Sequence, residues 1–117
     1  MTSLEDLQAM IRQFVDERDW NQFHNPKDLA ISLSLEAAEV MEHFQWKNAE
    51  EMAMHVKEMK TEVGNELADV LYWVLLLANN LDVNLVDAFN KKMKKNEAKY
   101  PVAKAKGNHK KYTEHQN

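Results

Sequence analysis

The sequence has no cysteine, only two glycines and two prolines among 117 residues, and no long apolar run. Without cysteine there is no disulfide framework and no thiolate metal site, so any bound metal must rest on oxygen or imidazole. The scarcity of glycine and proline leaves little turn chemistry for a many-stranded sheet. The longest apolar stretch, Val70 to Ala78, is far short of the roughly 20 residues a membrane-spanning helix needs. There is also no charged-then-apolar leader at the N-terminus, and the expectation is a cytoplasmic protein with no membrane partner. What is abundant instead is Leu, Ala, Glu, Lys and Met, the good helix formers. The formal net charge of -4 hides an asymmetry: acids gather between Glu36 and Asp69, while Lys91, Lys92, Lys94, Lys95, Lys99, Lys104, Lys106, Lys110 and Lys111 crowd the C-terminal part. An acidic centre beside a basic flank suits a metal-bridged polyanion better than bare nucleic acid, and no stable nucleic-acid partner is expected.

Helical periodicity organises the chain into an all-α, four- to five-helix bundle. Thr2 or Ser3 caps a first helix to about Arg18, with Glu5 or Asp6 as the reciprocal partner. Residues 19–25 carry two aromatics and a histidine without helical period, which marks a candidate binding loop. Asn25 as cap and Pro26 at the first helical position open a second helix to about Trp46. Asn48 caps a helical pattern that runs to about Asn80, with a break near Lys60 to Gly64 left open. Asn84 caps a last helix that must end by Tyr100, because the residue before Pro101 is pushed out of the helical region. The domain is drawn as residues 1–101, and 102–117 read as a basic, mobile tail.

On a helical wheel Glu36 sits at the edge of the second helix's apolar stripe of Leu29, Leu33, Val40 and Phe44, while Ser32, Glu39 and His43 form a polar ridge beside it. Glu66 and Asp69 repeat this relation to Val63 and Val70, with Glu62 and Trp73 on the ridge. Two helices therefore each offer an acidic pair bordering the core. One Glu-x-x-Glu pair is ordinarily a solvated face; two pairs placed alike point to a metal. Buried carboxylates repel one another and lose hydration, costing several kcal/mol per ion unless a cation compensates. An all-oxygen set favours Mg²⁺ or Mn²⁺ over Zn²⁺. A di-iron bundle would use Glu-x-x-His on two helices, whereas Glu39 and Asp69 occupy those positions here.

These residues bear a resemblance. Arg18-Asp19-Trp20-Asn21-Gln22-Phe23-His24-Asn25-Pro26, Leu35-Glu36-Ala37-Ala38-Glu39 with Phe44-Gln45-Trp46, Asn65-Glu66-Leu67-Ala68-Asp69-Val70-Leu71, and Lys92-Met93 with Asn96 and Lys99-Tyr100-Pro101 form four ordered blocks. The sequence resembles the MazG-like nucleotide pyrophosphohydrolases, and among them the dCTP pyrophosphatase branch. The resemblance implies cleavage of a nucleoside triphosphate between its α and β phosphates, giving a monophosphate and pyrophosphate in nucleotide-pool cleansing. It further implies Mg²⁺ on Glu36, Glu39, Glu66 and Asp69, and a homodimer or homotetramer. Glu36 and Glu39 are the candidate catalytic residues, with Glu39 as acceptor of the attacking water's proton. Trp20 and Trp46, just outside helix ends, are candidates to stack on a base, and His24 to bond the base or sugar. Trp73 shares the wheel face of Asp69, and His43 is placed to donate to a metal-bound carboxylate. Lys92, Asn96 and Lys99 recur at helical spacing and, with Tyr100, could meet phosphate oxygens.

Two rival readings share these residues. A non-catalytic helical module would use the acidic ridge and the lysines to bind partners without any metal requirement. A triphosphatase releasing phosphate stepwise would keep the metal site but yield different products.

Overall fold

The computed structural model describes residues 1–107 and residue 109. Among them there are helices and no strand. Helix α1 spans Leu4–Glu17, and a short 3-10 turn follows at Asn21–Phe23. Helix α2 spans Pro26–Glu42, α3 Ala49–Glu58, α4 Lys60–Asn80, α5 Leu85–Lys99 and α6 Val102–Ala105. The chain divides into two compact units, the first Met1–Val83 and the second beginning at Asn84. Residue 108 and residues 110–117, most of the expected basic tail, lie outside the described residues. The tail's first part includes the four-residue helix α6.

The starts of the helices are written in local capping chemistry. Ser3 and Asp6 form a reciprocal capping box at the head of α1, and Asn48 and Glu51 form another at α3. Asn25 and Asn84 accept from the backbone of Asp28 and Asp87, three residues into α2 and α5. The interruption expected near Lys60 to Gly64 falls at Met59, which lies between α3 and α4 with φ -115° and ψ 24°. Helix α2 stops at Glu42, short of the expected Trp46, and residues 43–46 turn instead. That turn carries Trp46 into the left-handed region at φ 70°, a conformation a non-glycine residue adopts at a cost of about 1–2 kcal/mol.

In the first unit α4 is the central helix, packed most extensively against α2, then α1 and α3. The core is small: Ile11 and Val15 of α1, Leu29 of α2, and Leu75, Leu76 and Ala78 of α4 are buried. Buried Gln8 is the polar element of this core, and its side-chain amide nitrogen is fully engaged. Its amide N–H donates to Asn79 Oδ1 and to the Val83 carbonyl, both at 3.2 Å, and Asn79 Nδ2 donates back to the Gln8 carbonyl at 2.9 Å. Arg12 adds a further bond to Asn79 Oδ1 at 3.2 Å. This lock ties α1 to the C-terminal end of α4 without leaving a dry amide unpaired. The second unit comprises α5 and α6, in which no residue of either helix is buried. Among the described residues no single helix is long and apolar enough to cross a membrane.

Candidate metal and nucleotide site

Packing α2 along α4 brings the two acidic pairs together. One carboxylate oxygen from each of Glu36, Glu39 and Glu66 lies within 4.8 Å of the others. Two oxygens on opposite sides of a Mg²⁺ ion are about 4.2 Å apart, so the group has the dimensions of a cation cage. Glu36 and Glu66 are half-buried, whereas Glu39 and Asp69 are exposed. The Oε2 atoms of Glu36 and Glu66 are buried and have no hydrogen-bond donor. Burial first, then the charges of Glu39 and Asp69, push the Glu36 carboxyl above its ordinary range, while a hydrogen bond with Trp73 acts the other way. Glu66 is pushed up chiefly by hydrogen bonding with Glu39, then by burial and by the charges of Glu39, Glu36 and Asp69. Carboxylates can hydrogen-bond to one another only by sharing a proton; fully ionised, this group needs a cation. Its donor set is oxygen throughout, which fits a hard divalent ion.

An open depression of about 440 Å³ adjoins the group, lined by Glu39, Glu42, His43, His55 and Glu66. His43 Nδ1 and His55 Nε2 face each other at 2.8 Å. Burial, then Lys47 and His43, hold the His55 imidazole below its ordinary pKa, opposed by Glu58. An aromatic series starts at Trp73 and runs through Tyr72 and Phe14 to Trp20. Trp73 meets Tyr72 edge-on at 5.2 Å, Tyr72 meets Phe14 at 6.4 Å, and Phe14 meets Trp20 at 5.6 Å. The Arg18 guanidinium covers the Phe14 ring at 3.8 Å, a cation–π contact just ahead of the 19–25 loop.

This geometry can be set beside proteins of known kind. Residues 31–114, more than half of the chain, match the MazG-like family. The chain belongs to that family. Among curated proteins, dCTP pyrophosphatase 1 of Rattus norvegicus is 39% identical over 115 residues, a match covering 96% of this chain and 67% of that protein. The Homo sapiens dCTP pyrophosphatase 1 is 37% identical over 114 residues, with 96% and 67% covered. Among solved structures, a pyrophosphatase from Archaeoglobus fulgidus DSM 4304 superposes with a TM-score of 0.78 at 41% identity, covering 86% of this chain and 94% of that one.

Within this MazG-like chain the expected site residues are distributed unequally. Glu36, Glu39 and Glu66 form the oxygen group, Asp69 stands beside it and acts on it through its charge, and Trp73 lies close enough to Glu36 to favour its ionised form. Trp46 is 90% exposed, and Trp20, 40% exposed, leans on Phe14. His24 lines a different depression, of about 170 Å³, together with Arg12, Asp16, Asn21, Asn79 and Asn80, and its Nδ1 is buried without a partner. Lys92, Asn96 and Lys99 lie on α5 of the second unit, with Tyr100 as its C-terminal cap residue; Asn96 Nδ2 contacts Met93 Sδ at 3.8 Å. His43, expected to serve a metal-bound carboxylate, is paired with His55. The missed residues are His55 and the Arg12, Asn79 and Asn80 surroundings of His24. For His55 the available signal was two histidines flanking the Phe44-Gln45-Trp46 turn.

Proposed function

We propose that this protein is a nucleoside triphosphate pyrophosphohydrolase, hydrolysing a deoxynucleoside triphosphate to its monophosphate and pyrophosphate. The substrate class we favour is dCTP-like or modified deoxynucleotides, and the role is cleansing of the cytoplasmic nucleotide pool. The observation that carries the reading is the pair of buried, donor-less carboxylate oxygens on Glu36 and Glu66 inside a three-carboxylate group. Membership in the MazG-like family, and relatives named dCTP pyrophosphatase, support the reaction type. They also weigh against a non-catalytic module.

Glu36, Glu39, Glu66 and Asp69 would hold Mg²⁺, with Mn²⁺ as a possible substitute. Bound there, the cation would supply neutralisation of the charge that builds on the departing pyrophosphate and would acidify water. Glu39 is the exposed member of the three-oxygen group and lies beside both half-buried glutamates, which gives it an open side to accept the attacking water's proton. Glu36 and Glu66, half-buried and fixed by helix packing, keep their geometry as the substrate enters. Trp20 and Trp46 offer exposed rings for base stacking, and Trp73 orients Glu36 at the substrate's edge. His24 is assigned to base or sugar recognition, and Lys92, Asn96, Lys99 and Tyr100 to the phosphates. The functional domain is taken as residues 1–101. A homodimer or homotetramer is supported by the exposed apolar side chains Ile31 and Leu35 on α2 and Leu67 and Leu71 on α4.

The deciding experiment is a product-resolved screen against deoxy- and ribonucleoside triphosphates, with Mg²⁺ and with chelator, beside Glu36→Ala. Metal-dependent monophosphate and pyrophosphate, lost in the variant, is the expected result. Stepwise release of inorganic phosphate would instead mark a triphosphatase. Absence of turnover on both ordinary and modified nucleotides would return the argument to a binding module.

A further inference from the structure

The His43–His55 pair is not used by the reaction proposed above, and its geometry points to a chemistry of its own. His43 immediately follows the last residue of α2, and His55 lies in α3. The segment between them is held by the left-handed Trp46 and by the Asn48–Glu51 capping box, with bonds of 3.2 and 2.9 Å. The two rings are 5.0 Å apart between centroids and tilted by 51°. Phe44 stands edge-on to His55 at 6.1 Å, closing one side. Both histidines are half-buried, and both open onto the depression shared with Glu39, Glu42 and Glu66.

We propose that His43 Nδ1 and His55 Nε2 are the protein ligands of a second cation site, selective for a nitrogen-preferring divalent transition ion such as Zn²⁺ or Cu²⁺. The two nitrogens face each other at 2.8 Å. A tetrahedral Zn²⁺ with bonds of about 2.0–2.1 Å holds two nitrogens about 3.3 Å apart, so the rings need open by only about half an ångström. Neutral imidazoles rank far above carboxylates for Zn²⁺ and Cu²⁺, whereas Mg²⁺ keeps to oxygen. The two sites, one between α2 and α4 and the other between the end of α2 and α3, therefore sort cations by ligand type: oxygen at Glu36, Glu39 and Glu66, nitrogen at His43 and His55. Glu39 and Glu42 on the rim give the depression a negative potential that attracts a cation. Among the described residues no carboxylate completes a three-ligand group with the two histidines. The remaining coordination positions would be left to water or an incoming anion.

This inference does not depend on the catalytic reading, and its test does not use turnover. Zn²⁺ is titrated into the full chain by calorimetry in excess Mg²⁺, and Cu²⁺ is followed by electron paramagnetic resonance. The expected result is a site at which Cu²⁺ couples to two imidazole nitrogens. Loss of an outer partner alone lowers metal affinity about 10–100-fold, so His43→Gln and His55→Gln should each weaken Zn²⁺ by at least about tenfold. His24→Gln, in a separate depression, should leave it unchanged. A Cu²⁺ spectrum with one nitrogen or none, or Zn²⁺ affinity indifferent to both histidine variants, overturns the proposal. It would mean that the pair is only a hydrogen bond securing α3 to the end of α2. The spectrum of the unmodified chain decides the matter even if a variant fails to fold.

Discussion

The α1–α4 junction and the α2–α4 seam both place polar side chains against the core, and they treat them in opposite ways. At the junction, Gln8 and Asn79 exchange hydrogen bonds with each other and the backbone, and Arg12 adds one more. At the seam, Glu36 and Glu66 each keep a buried oxygen with no donor, in the company of further carboxylates. The first arrangement lowers the free energy of the folded chain by itself. The second raises it until something positive arrives. Closed hydrogen bonding thus marks a structural lock, and an open, strained group of like charges marks a site.

Removing a seam carboxylate gives the largest effect expected. Glu66→Gln should lower kcat by more than about 100-fold, beyond what loss of an outer partner costs. Thermal stability of the metal-free protein should hold or rise, because a repelling charge has gone. A variant that loses stability while keeping turnover would erase the contrast between the two regions. Gln8→Ala should behave in the opposite manner. It takes a donor from Asn79 Oδ1 and from the Val83 carbonyl in a part-buried junction and should cost about 1–3 kcal/mol by denaturant titration, with kcat and KM close to those of the parent.

A third substitution asks whether strain elsewhere also marks function. Trp46 is almost fully exposed yet held at positive φ. Trp46→Gly relieves the backbone and surrenders little packing, so stability should not fall. If the ring stacks on the substrate's base, loss of about 1 kcal/mol or more raises KM about fivefold or more. Unchanged KM would leave the exposed ring unexplained.

What was legible in the sequence follows from the range of the interaction involved. Caps at Ser3, Asn25, Asn48 and Asn84 are chemistry between residues three apart, and the structure has them as expected. The meeting of Glu36 and Glu39 with Glu66 was foreshadowed because each borders an apolar stripe that has to pack. The early end of α2 was not legible: Phe44 continues its apolar stripe, and only the local backbone turns Trp46 out. Asp69 matched Glu39 on the wheel but stands outside the three-oxygen group, since a wheel gives direction and not the depth of the helix contact. The His43–His55 pairing depends on the path of the intervening turn, which periodicity does not encode. For His24, its company of Arg12, Asn79 and Asn80 comes from two other stretches of chain.

The smallest effect expected is a slope of stability against pH, and it separates the two regions without any mutation. Glu36 and Glu66 titrate above the ordinary glutamate range when the seam holds no cation. Between that range and their raised values, the folded chain binds more protons than the unfolded one. Stability therefore falls as pH rises through the window. Asp6, whose pKa is lowered by its bonds with Ser3, acts at lower pH, where its contribution is lost on acidification. His55, lowered by burial, works in the opposite sense nearer the imidazole range. The informative interval thus runs from the ordinary glutamate pKa to just below that range. In chelator the melting temperature should decline across it, while Mg²⁺, which binds the deprotonated carboxylates, should remove the decline. Glu66→Gln should flatten the chelated profile, and Gln8→Ala should shift it downward without changing its slope. Identical profiles with and without Mg²⁺ would mean that the seam does not take the cation.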